Sequence, residues 1–425
     1  MKRSFFCMSK PKINYELIDG RLSEPKQIAL PPTVTLMLDD PFTRNDIDIK
    51  IGDSVKKGQK LTLKEGRDAY VISSVSGKIT GVSGFVGDYG KSYTAITIET
   101  AKTEEEEDSF TSLIEEPSLQ TAADYLSFLP GEARFDVFQD PEKPIETIVV
   151  FGGNTDLLIT TNQYVIKYRI DDVVRGIEIL KKITGIEDII IALPRDLVPG
   201  FGHTGAELRG VDLTYPSAHP KVIMDKVMGR PVPAGKTCED MGVVFMSAEA
   251  VASIGKAFET GRIPADKIVT LVKKDGEKEL VSARLGTPMG HIFKSCGVTV
   301  RERDRLIIGG PLTGSAIYAE DYPVGPDTDA VMVQDKADIS LVSDYPCVNC
   351  GECVRICPAN IPVNMLVRLL EAGLYEEAAD DYDLYSCIGC GLCSYVCVAK
   401  VPVFQYIRLA KYELNRAETA EAAHE

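Results

Sequence analysis

The stretch that decides the architecture runs from Cys347 to Pro358 and reads CVNCGECVRICP. Its cysteines follow the spacing C-x2-C-x2-C-x3-C, which returns in CIGCGLCSYVC, from Cys387 to Cys397. Three closely spaced thiolates can hold three corners of an iron–sulfur cube, while the fourth is carried along the following helix to the neighbouring cube. The pattern therefore predicts two [4Fe–4S] clusters whose ligands cross between the motifs.

Crossed ligation assigns four cysteines to each cluster. The first cluster takes Cys347, Cys350, Cys353 and Cys397, and the second takes Cys387, Cys390, Cys393 and Cys357. Zinc is the alternative, since paired C-x2-C motifs also bind zinc, but each quartet fits a cube better. Gly351, Gly389 and Gly391 allow the tight turns that aim backbone amides at sulfur. Because protein thiolates occupy every iron corner, the clusters would carry electrons, and we assign no catalytic residue.

The composition of the chain limits the cellular compartments in which we expect it and the classes of partner that it can bind. Eight of the eleven cysteines fall between residues 347 and 397, and the apolar run near Met1 is too short for a secretion signal. The net charge of −16 argues against a nucleic-acid partner. No stretch approaches the ~20 apolar residues of a membrane span. We expect a cytoplasmic chain that reaches the cytoplasmic face of a membrane only through partner subunits.

The amino-terminal quarter reads as short strands separated by glycine. GDSVKKGQKL at residues 52–61, followed by SVSGKI at 74–79, resembles the barrel-sandwich module of lipoyl carrier domains, although no Met-Lys tip is present to carry a cofactor. The acidic run from Glu104 to Asp108 repels itself and resists packing, which predicts a linker.

An α/β pattern follows the linker. A continuous apolar strand at 145–151, helical apolar spacing at 171–183 and a second apolar strand at 186–193 predict a parallel βαβ unit. The strand predicted at 267–273 is assigned to the same domain. Strands around a short helix after residue 276 suggest a β-grasp-like module, and two helices are predicted between the cysteine motifs, at 363–371 and 375–380.

The predicted fold class is therefore multidomain, combining α/β and α+β units. The predicted units are a barrel-sandwich domain (1–102), an acidic linker and lead-in (103–144), an α/β domain (145–275), a β-grasp-like domain (276–340), a helical ferredoxin domain (341–416) and a flexible tail (417–425).

Four stretches, in order along the chain, resemble the C subunit of Rnf-type electron-transport complexes. They are KIGDSVKKGQKL from Lys50, VSARLGTPMGHIFKSCG from Val281, IIGGPLTG from Ile307 and the dicluster tail ending in FQYIRLAKYEL. The A subunit of the sodium-pumping quinone reductase and cobalamin-reductase-like proteins are related. The resemblance implies a barrel-sandwich hybrid, a Rossmann-like α/β domain of the complex I flavin-subunit type, an SLBB β-grasp domain and a helical dicluster ferredoxin module.

The resemblance also implies FMN and NADH oxidation, but the residues that would carry them are altered here. Members of the family place a glycine-rich loop similar to GxGGAGFPT before the strand at 145–151, whereas residues 111–140 contain Gly131 alone. Their acidic GAECEP-like turn after the strand is replaced by GGNTDL, from Gly152 to Leu157. We expect a degraded flavin site, no bound FMN and no NADH oxidation, and we assign no residue to flavin binding.

The leading hypothesis is an iron–sulfur electron-transfer subunit of a multisubunit redox complex. Its partners would be other subunits, membrane-embedded as in Rnf complexes, or a ferredoxin, flavoprotein or cytochrome. Two alternatives stay open: an FMN-containing, NADH-oxidising subunit, and a corrinoid-reducing or assembly module for a methyl-transfer system. Whether the chain is itself an enzyme is left open. His203 lies in a glycine-rich loop without a matching carboxylate or cysteine partner in sequence.

Overall fold

The computed structural model describes residues 11–18, 20, 23–42, 48–64, 69–87, 91–202, 204–343 and 345–422. The interpretations of the first ten residues and of His203 concern positions outside this part of the chain. Among the helices described, none combines the length and the apolar character that a membrane crossing demands.

The first unit is an antiparallel barrel sandwich. Its strands, after the short β1 (Lys26–Gln27), are β2 (Thr33–Leu38), β3 (Ser54–Val55), β4 (Lys60–Leu61), β5 (Val71–Ile72), β6 (Gly77–Val86) and β7 (Ser92–Thr100). One sheet has the order β2-β7-β6-β3, and β4 pairs with β5. Every second residue of β2 (Val34, Leu36 and Leu38) is buried, as expected for a strand with one face on a core. The predicted barrel-sandwich fold is confirmed.

The acidic run is packed against the protein, which corrects the prediction that it resists packing. Glu104 forms ion pairs with Arg284 and Lys57, and Glu106 forms ion pairs with Lys57 and Arg262. The backbone of Lys57 also exchanges hydrogen bonds with the run, donating to Glu105 and accepting from Glu107. Three cations from distant segments offset the like charge, so the run joins the domains closely.

The α/β domain is built around a four-stranded parallel sheet. Its elements are α1 (Leu119–Tyr125), β8 (Thr147–Phe151), α2 (Thr161–Tyr168), α3 (Ile170–Thr184), β9 (Ile189–Pro194), β10 (Glu207–Val211), α4 (Pro220–Lys226), β11 (Val243–Ser247) and α5 (Ala248–Thr260). The strand order is β10-β9-β8-β11, and β8 and β9 pair in parallel, which confirms the predicted βαβ unit. Ile148, Val149 and Val150 are all fully buried because helices cover both faces of the sheet.

The next unit has the strand order of a β-grasp. It contains β12 (Asp266–Val272), β13 (Lys278–Arg284), α6 (Met289–Ser295), β14 (Arg305–Ile308), β15 (Ser315–Ile317) and β16 (Ala330–Gln334). The sheet order is β1-β13-β12-β16-β14-β15. Strand β12 pairs antiparallel with β13 along its whole length, so the segment predicted at 267–273 belongs to this sheet and not to the α/β sheet. Its apolar run resembles that of a buried parallel strand, because β12 is also buried on both faces.

The carboxyl-terminal unit is helical. It contains α7 (Glu352–Ile356), α8 (Val363–Glu371), α9 (Tyr375–Asp380), α10 (Leu392–Tyr395) and α11 (Val403–Ala422). The two helices predicted between the cysteine motifs are confirmed as α8 and α9. Helix α11 continues to Ala422, into the segment from residue 417 that the sequence predicts to be a flexible tail, and Tyr385 donates a hydrogen bond to Glu418 in this last part.

Candidate iron–sulfur site

The two cysteine motifs are structural repeats, offset by 40 residues. Each is a loop that leads into a short helix, α7 or α10, and ends beside the start of a longer one, α8 or α11. Three positions in each motif have a positive φ: Asn349, Gly351 and Asn360 in the first, and Gly389, Gly391 and Lys400 in the second. This shared backbone places the cysteines of the two motifs in equivalent positions.

The structure brings the eight thiols together in two crossed quartets. One cavity is lined by three cysteines of the first motif and one of the second: Cys347, Cys350, Cys353 and Cys397. The other is lined by the reciprocal set, Cys387, Cys390, Cys393 and Cys357. Within the described residues, no three His, Cys, Asp or Glu side chains are placed to hold a single metal ion. Four thiols spread around a cavity are the arrangement that a cube with one iron at each corner requires.

Backbone amides point at the sulfur atoms. The N–H of Asn349 lies 3.4 Å from Cys347 Sγ, and that of Gly389 lies 3.4 Å from Cys387 Sγ. The N–H of Val401 lies 3.3 Å from Cys397 Sγ. Amides that donate to sulfur stabilise the thiolate form and tune a bound cluster, so these contacts fit an iron–sulfur ligand set.

The two quartets differ in burial. Cys350, in the first, is exposed, whereas its counterpart Cys390 is buried. Burial raises the pKa of the Cys353 thiol to about 11 and that of the Cys390 thiol to about 12. A thiol must lose its proton to bind iron, so binding of a cluster to these residues would be coupled to proton release.

The second quartet is held against the α/β and β-grasp domains. Tyr215 Oη donates a 2.6 Å hydrogen bond to the carbonyl of Cys390. Gly391 has a φ of 72°, and a Cβ there would lie 2.3 Å from the carbonyl oxygen of Leu312, so only glycine fits. The spacing of the cysteines in the motif predicts neither contact; Tyr215, for example, is 175 residues away from Cys390 in the sequence.

Two basic side chains also lie beside the second quartet. Lys411 of α11 donates a 2.7 Å hydrogen bond from Nζ to the carbonyl of Cys387, and burial lowers the pKa of its amine. His219, at the residue before α4, contacts the backbone of Ile388, and burial lowers its pKa to about 4. Neither residue was predicted from the sequence; the four-residue spacing of Lys411 from Ile407, a buried residue of α11, was the available signal for Lys411.

The region equivalent to the family's glycine-rich loop is packed on the start of α5. Ser247 Oγ donates to the carbonyl of Gly131 at 2.9 Å, and Ser253 Oγ donates to that of Pro130 at 3.0 Å. A Cβ on Gly131 would lie 2.3 Å from the amide nitrogen of Ala250. The amino terminus of this helix, where a phosphate group would be favoured, is therefore covered by the protein's own loop.

The amino-terminal segment fills the crevice at the carboxyl ends of the parallel strands. Residues 13–15 pair with residues 213–215, and the rings of Tyr15 and Tyr215 lie 5.3 Å apart. The cavity left beside Phe151 and Asn154 has a volume of about 10 Å³. Cofactors bind at this edge of α/β sheets, in pockets of ~300 Å³ or more. The described residues leave no space of that size in this crevice.

Asp156, in the altered acidic turn, has a structural role. It is buried, and its Oδ2 accepts hydrogen bonds from the amides of Leu312 and Thr313, at 3.1 and 2.7 Å, and from the Thr313 hydroxyl. These donors belong to the IIGGPLTG loop of the β-grasp domain, which also contacts Gly391. The turn therefore joins three domains, although the sequence alone suggests a simple turn at the end of a strand.

Comparison with known families identifies three of the modules. Residues 23–103 match the RnfC barrel sandwich hybrid domain, residues 133–256 match the Nuo51 FMN-binding domain, and residues 339–398 match the 4Fe-4S dicluster domain. The order of the three matches is the order of the modules in the structure.

Curated relatives resemble most of the chain. The C subunit of the proton-translocating ferredoxin:NAD(+) oxidoreductase complex of Clostridium ljungdahlii is 29% identical over 359 residues, covering 79% of this chain and 78% of that protein. The C subunit of the ion-translocating oxidoreductase complex of Pectobacterium carotovorum subsp. carotovorum is 26% identical over 381 residues, covering 84% of this chain but 51% of the relative. The chain therefore spans about half the length of this second relative.

Among solved structures, a chain of an NAD+-reducing [NiFe]-hydrogenase in the H2-reduced state aligns with a TM-score of 0.47 and 13% identity, covering 72% of this chain and 62% of that chain. The family and relative matches confirm the resemblance drawn from the sequence: the chain is similar to the C subunits of Rnf-type, ion-translocating oxidoreductase complexes.

Proposed function

We propose that the chain binds one [4Fe–4S] cluster in each crossed quartet and relays single electrons as a subunit of a multisubunit redox complex. The observation that supports this most directly is the pair of cavities, each lined by three cysteines of one motif and the fourth of the other. Each cluster, when bound, accepts or gives up one electron. The protein holds the thiolates, donates amide hydrogen bonds to sulfur and buries one ligand of the second quartet, Cys390.

The same proposal includes the absence of FMN. The loop at Pro130 and Gly131 covers the start of α5, Tyr15 fills the strand-end crevice, and Asp156 is committed to backbone amides. Each of these features takes a place that the flavin or its binding residues would need. The α/β domain then acts as a scaffold that supports the second quartet.

An FMN-containing, NADH-oxidising subunit is the second candidate, because residues 133–256 match an FMN-binding domain. The structure has a cavity of about 600 Å³ between α5, β12 and Lys57, which is large enough for a cofactor. Of the described residues that line it, nine are charged and none is aromatic. A flavin ring favours apolar and aromatic walls, so this cavity supports the second candidate weakly.

Partners and location follow from the relatives. Their names place them in ion-translocating oxidoreductase complexes. We propose that this chain likewise assembles with other redox subunits, and that such subunits hold it at the membrane surface.

The test is chemical analysis of the full chain purified without oxygen. We expect about eight irons and about eight sulfides per chain, with no flavin released on denaturation. Reduction should bleach the visible absorption of the clusters, and NADH alone should not. Stoichiometric FMN with bleaching by NADH would establish the second candidate, and zinc in place of iron would refute both.

A further inference from the structure

An exposed apolar surface surrounds the first quartet. Six large apolar side chains there are more than half exposed, and together we call them the first-quartet face: Leu341, Val342, Tyr345, Val348, Tyr395 and Val398. Val348 and Val398 line the first cavity, and the amide of Ser343 donates to the carbonyl of Lys400, which holds residues 341–343 close to Val398. Several large exposed apolar side chains near one site mark a place of interaction.

The second quartet is more covered than the first at one ligand, Cys390, the counterpart of the exposed Cys350. Cys390 is buried, its carbonyl accepts from Tyr215, and Leu312 lies against Gly391. Electron tunnelling weakens steeply with distance, so a partner protein must approach a redox centre closely. Of the two quartets, the first is the one with an exposed ligand, Cys350, which another protein can approach.

The face carries little charge, in contrast to the whole chain. Within residues 341–364 and 394–400, the sequence has four charged residues, Asp344, Glu352, Arg355 and Lys400, whose charges sum to zero, and Glu352 forms an ion pair with Arg355. The protein as a whole has a net charge of −16. A partner attracted by charge would bind elsewhere on this acidic surface, whereas a partner for this face must itself present apolar groups with few charges.

We propose that the first-quartet face docks a redox protein that presents an apolar, sparsely charged rim around its own redox centre, and that electrons cross between the two proteins there. The proposal rests on the proposed function, since it requires a cluster in the first quartet. Beyond the proposed function, it specifies which of the two quartets exchanges electrons with the partner and which kind of protein surface binds there. The order of transfer is then partner, first quartet, second quartet, or the reverse.

The first experiment uses the complex isolated from the native host through an affinity tag on this chain. The double variant Leu341→Asp/Tyr345→Asp should retain about tenfold less of the redox partner, because two charges oppose an apolar contact. The control is Ile51→Asp, at a 70% exposed position of the barrel sandwich, which should retain the parental amount. Raising the salt from about 0.1 M to about 1 M should change retention little.

The second experiment places a photo-crosslinking residue at position 348 or 51. Position 348 should yield an adduct with a chain that contains a redox cofactor, and position 51 should not. An adduct with a second copy of this chain, an adduct with a protein lacking any redox centre, or no adduct at all would overturn the proposal. Full retention of the partner by the double variant would do the same. Absence of iron from the unsubstituted chain would instead refute the proposed function.

Discussion

The two cysteine motifs have the same backbone and different surroundings. Both use a positive φ at equivalent positions, and both supply three thiols to one cavity and the fourth to the other. The first is open to solvent at Cys350, whereas the second is contacted by Tyr215, Leu312 and Lys411 and has its counterpart thiol, Cys390, buried. The comparison shows that local sequence determines the ligand geometry, whereas distant parts of the chain determine the environment in which a cluster would work.

The largest effect should come from removing a ligand in each motif. Cys390→Ser should abolish the second cluster and loosen the contact with the α/β domain, because this thiol is buried in that interface. Cys350→Ser should remove the first cluster alone and leave about four irons per chain. Iron analysis and electron paramagnetic resonance distinguish the two variants. Loss of both clusters in both variants would show that cluster binding is coupled to folding of the whole module.

A matched glycine pair sharpens the comparison. Gly351 and Gly391 have φ values of 75° and 72°, but a Cβ meets nothing within 4 Å at Gly351 and lies 2.3 Å from the Leu312 carbonyl at Gly391. Gly351→Ala should therefore cost only the ~1–2 kcal/mol of a left-handed backbone, whereas Gly391→Ala should cost several kcal/mol through the added clash. Anaerobic thermal denaturation measures both. Equal losses would mean that Leu312 moves aside freely.

A smaller effect is expected from Lys411→Gln. Removing the buried cation beside Cys387 should make an added electron less favourable, so that the reduction potential of the second cluster falls while that of the first is unchanged. A redox titration followed by electron paramagnetic resonance gives both potentials. Lys400→Gln, at an exposed position three residues after Cys397 of the first quartet, is the matched control. A shift of equal size in both variants would contradict the assigned asymmetry.

The smallest effect should follow from Tyr215→Phe. The variant loses one hydrogen bond to the Cys390 carbonyl, which is worth about 0.5–1.5 kcal/mol, and leaves that carbonyl without its donor. Denaturant unfolding should show a loss in this range, and the spectrum of the second cluster alone should change. Tyr345→Phe, at a 78% exposed side chain, should alter neither.

The ligand set could be predicted from sequence because cysteine spacing determines which thiols a short loop can bring together. Helices α8 and α9 were also predicted correctly, since their apolar periodicity is local. Tyr215 and Asp156 could not be assigned their roles, because each acts on a partner more than 150 residues away. Glu106 packs because Arg262 pairs with it, and Glu104 packs because Arg284 pairs with it. Both arginines lie far from the acidic run in the sequence, so the run by itself could not predict this packing.

The strand β12 illustrates a second limit. Its residues are mostly apolar, which fits a parallel sheet buried on both faces, yet it pairs with β13 in a different domain. The hydrophobic pattern of a strand predicts that the strand is buried, but it does not indicate which sheet the strand joins.

The loop from Gly310 to Thr313 lies between Asp156 and Gly391, in contact with both. Such a double contact fixes the second quartet to the scaffold, and the crossed ligands fix the two quartets to each other. Proteins that shuttle electrons by swinging one domain slow down as the solvent becomes more viscous. Transfer between the two quartets of this chain should therefore proceed at the same rate in buffer and in concentrated sucrose.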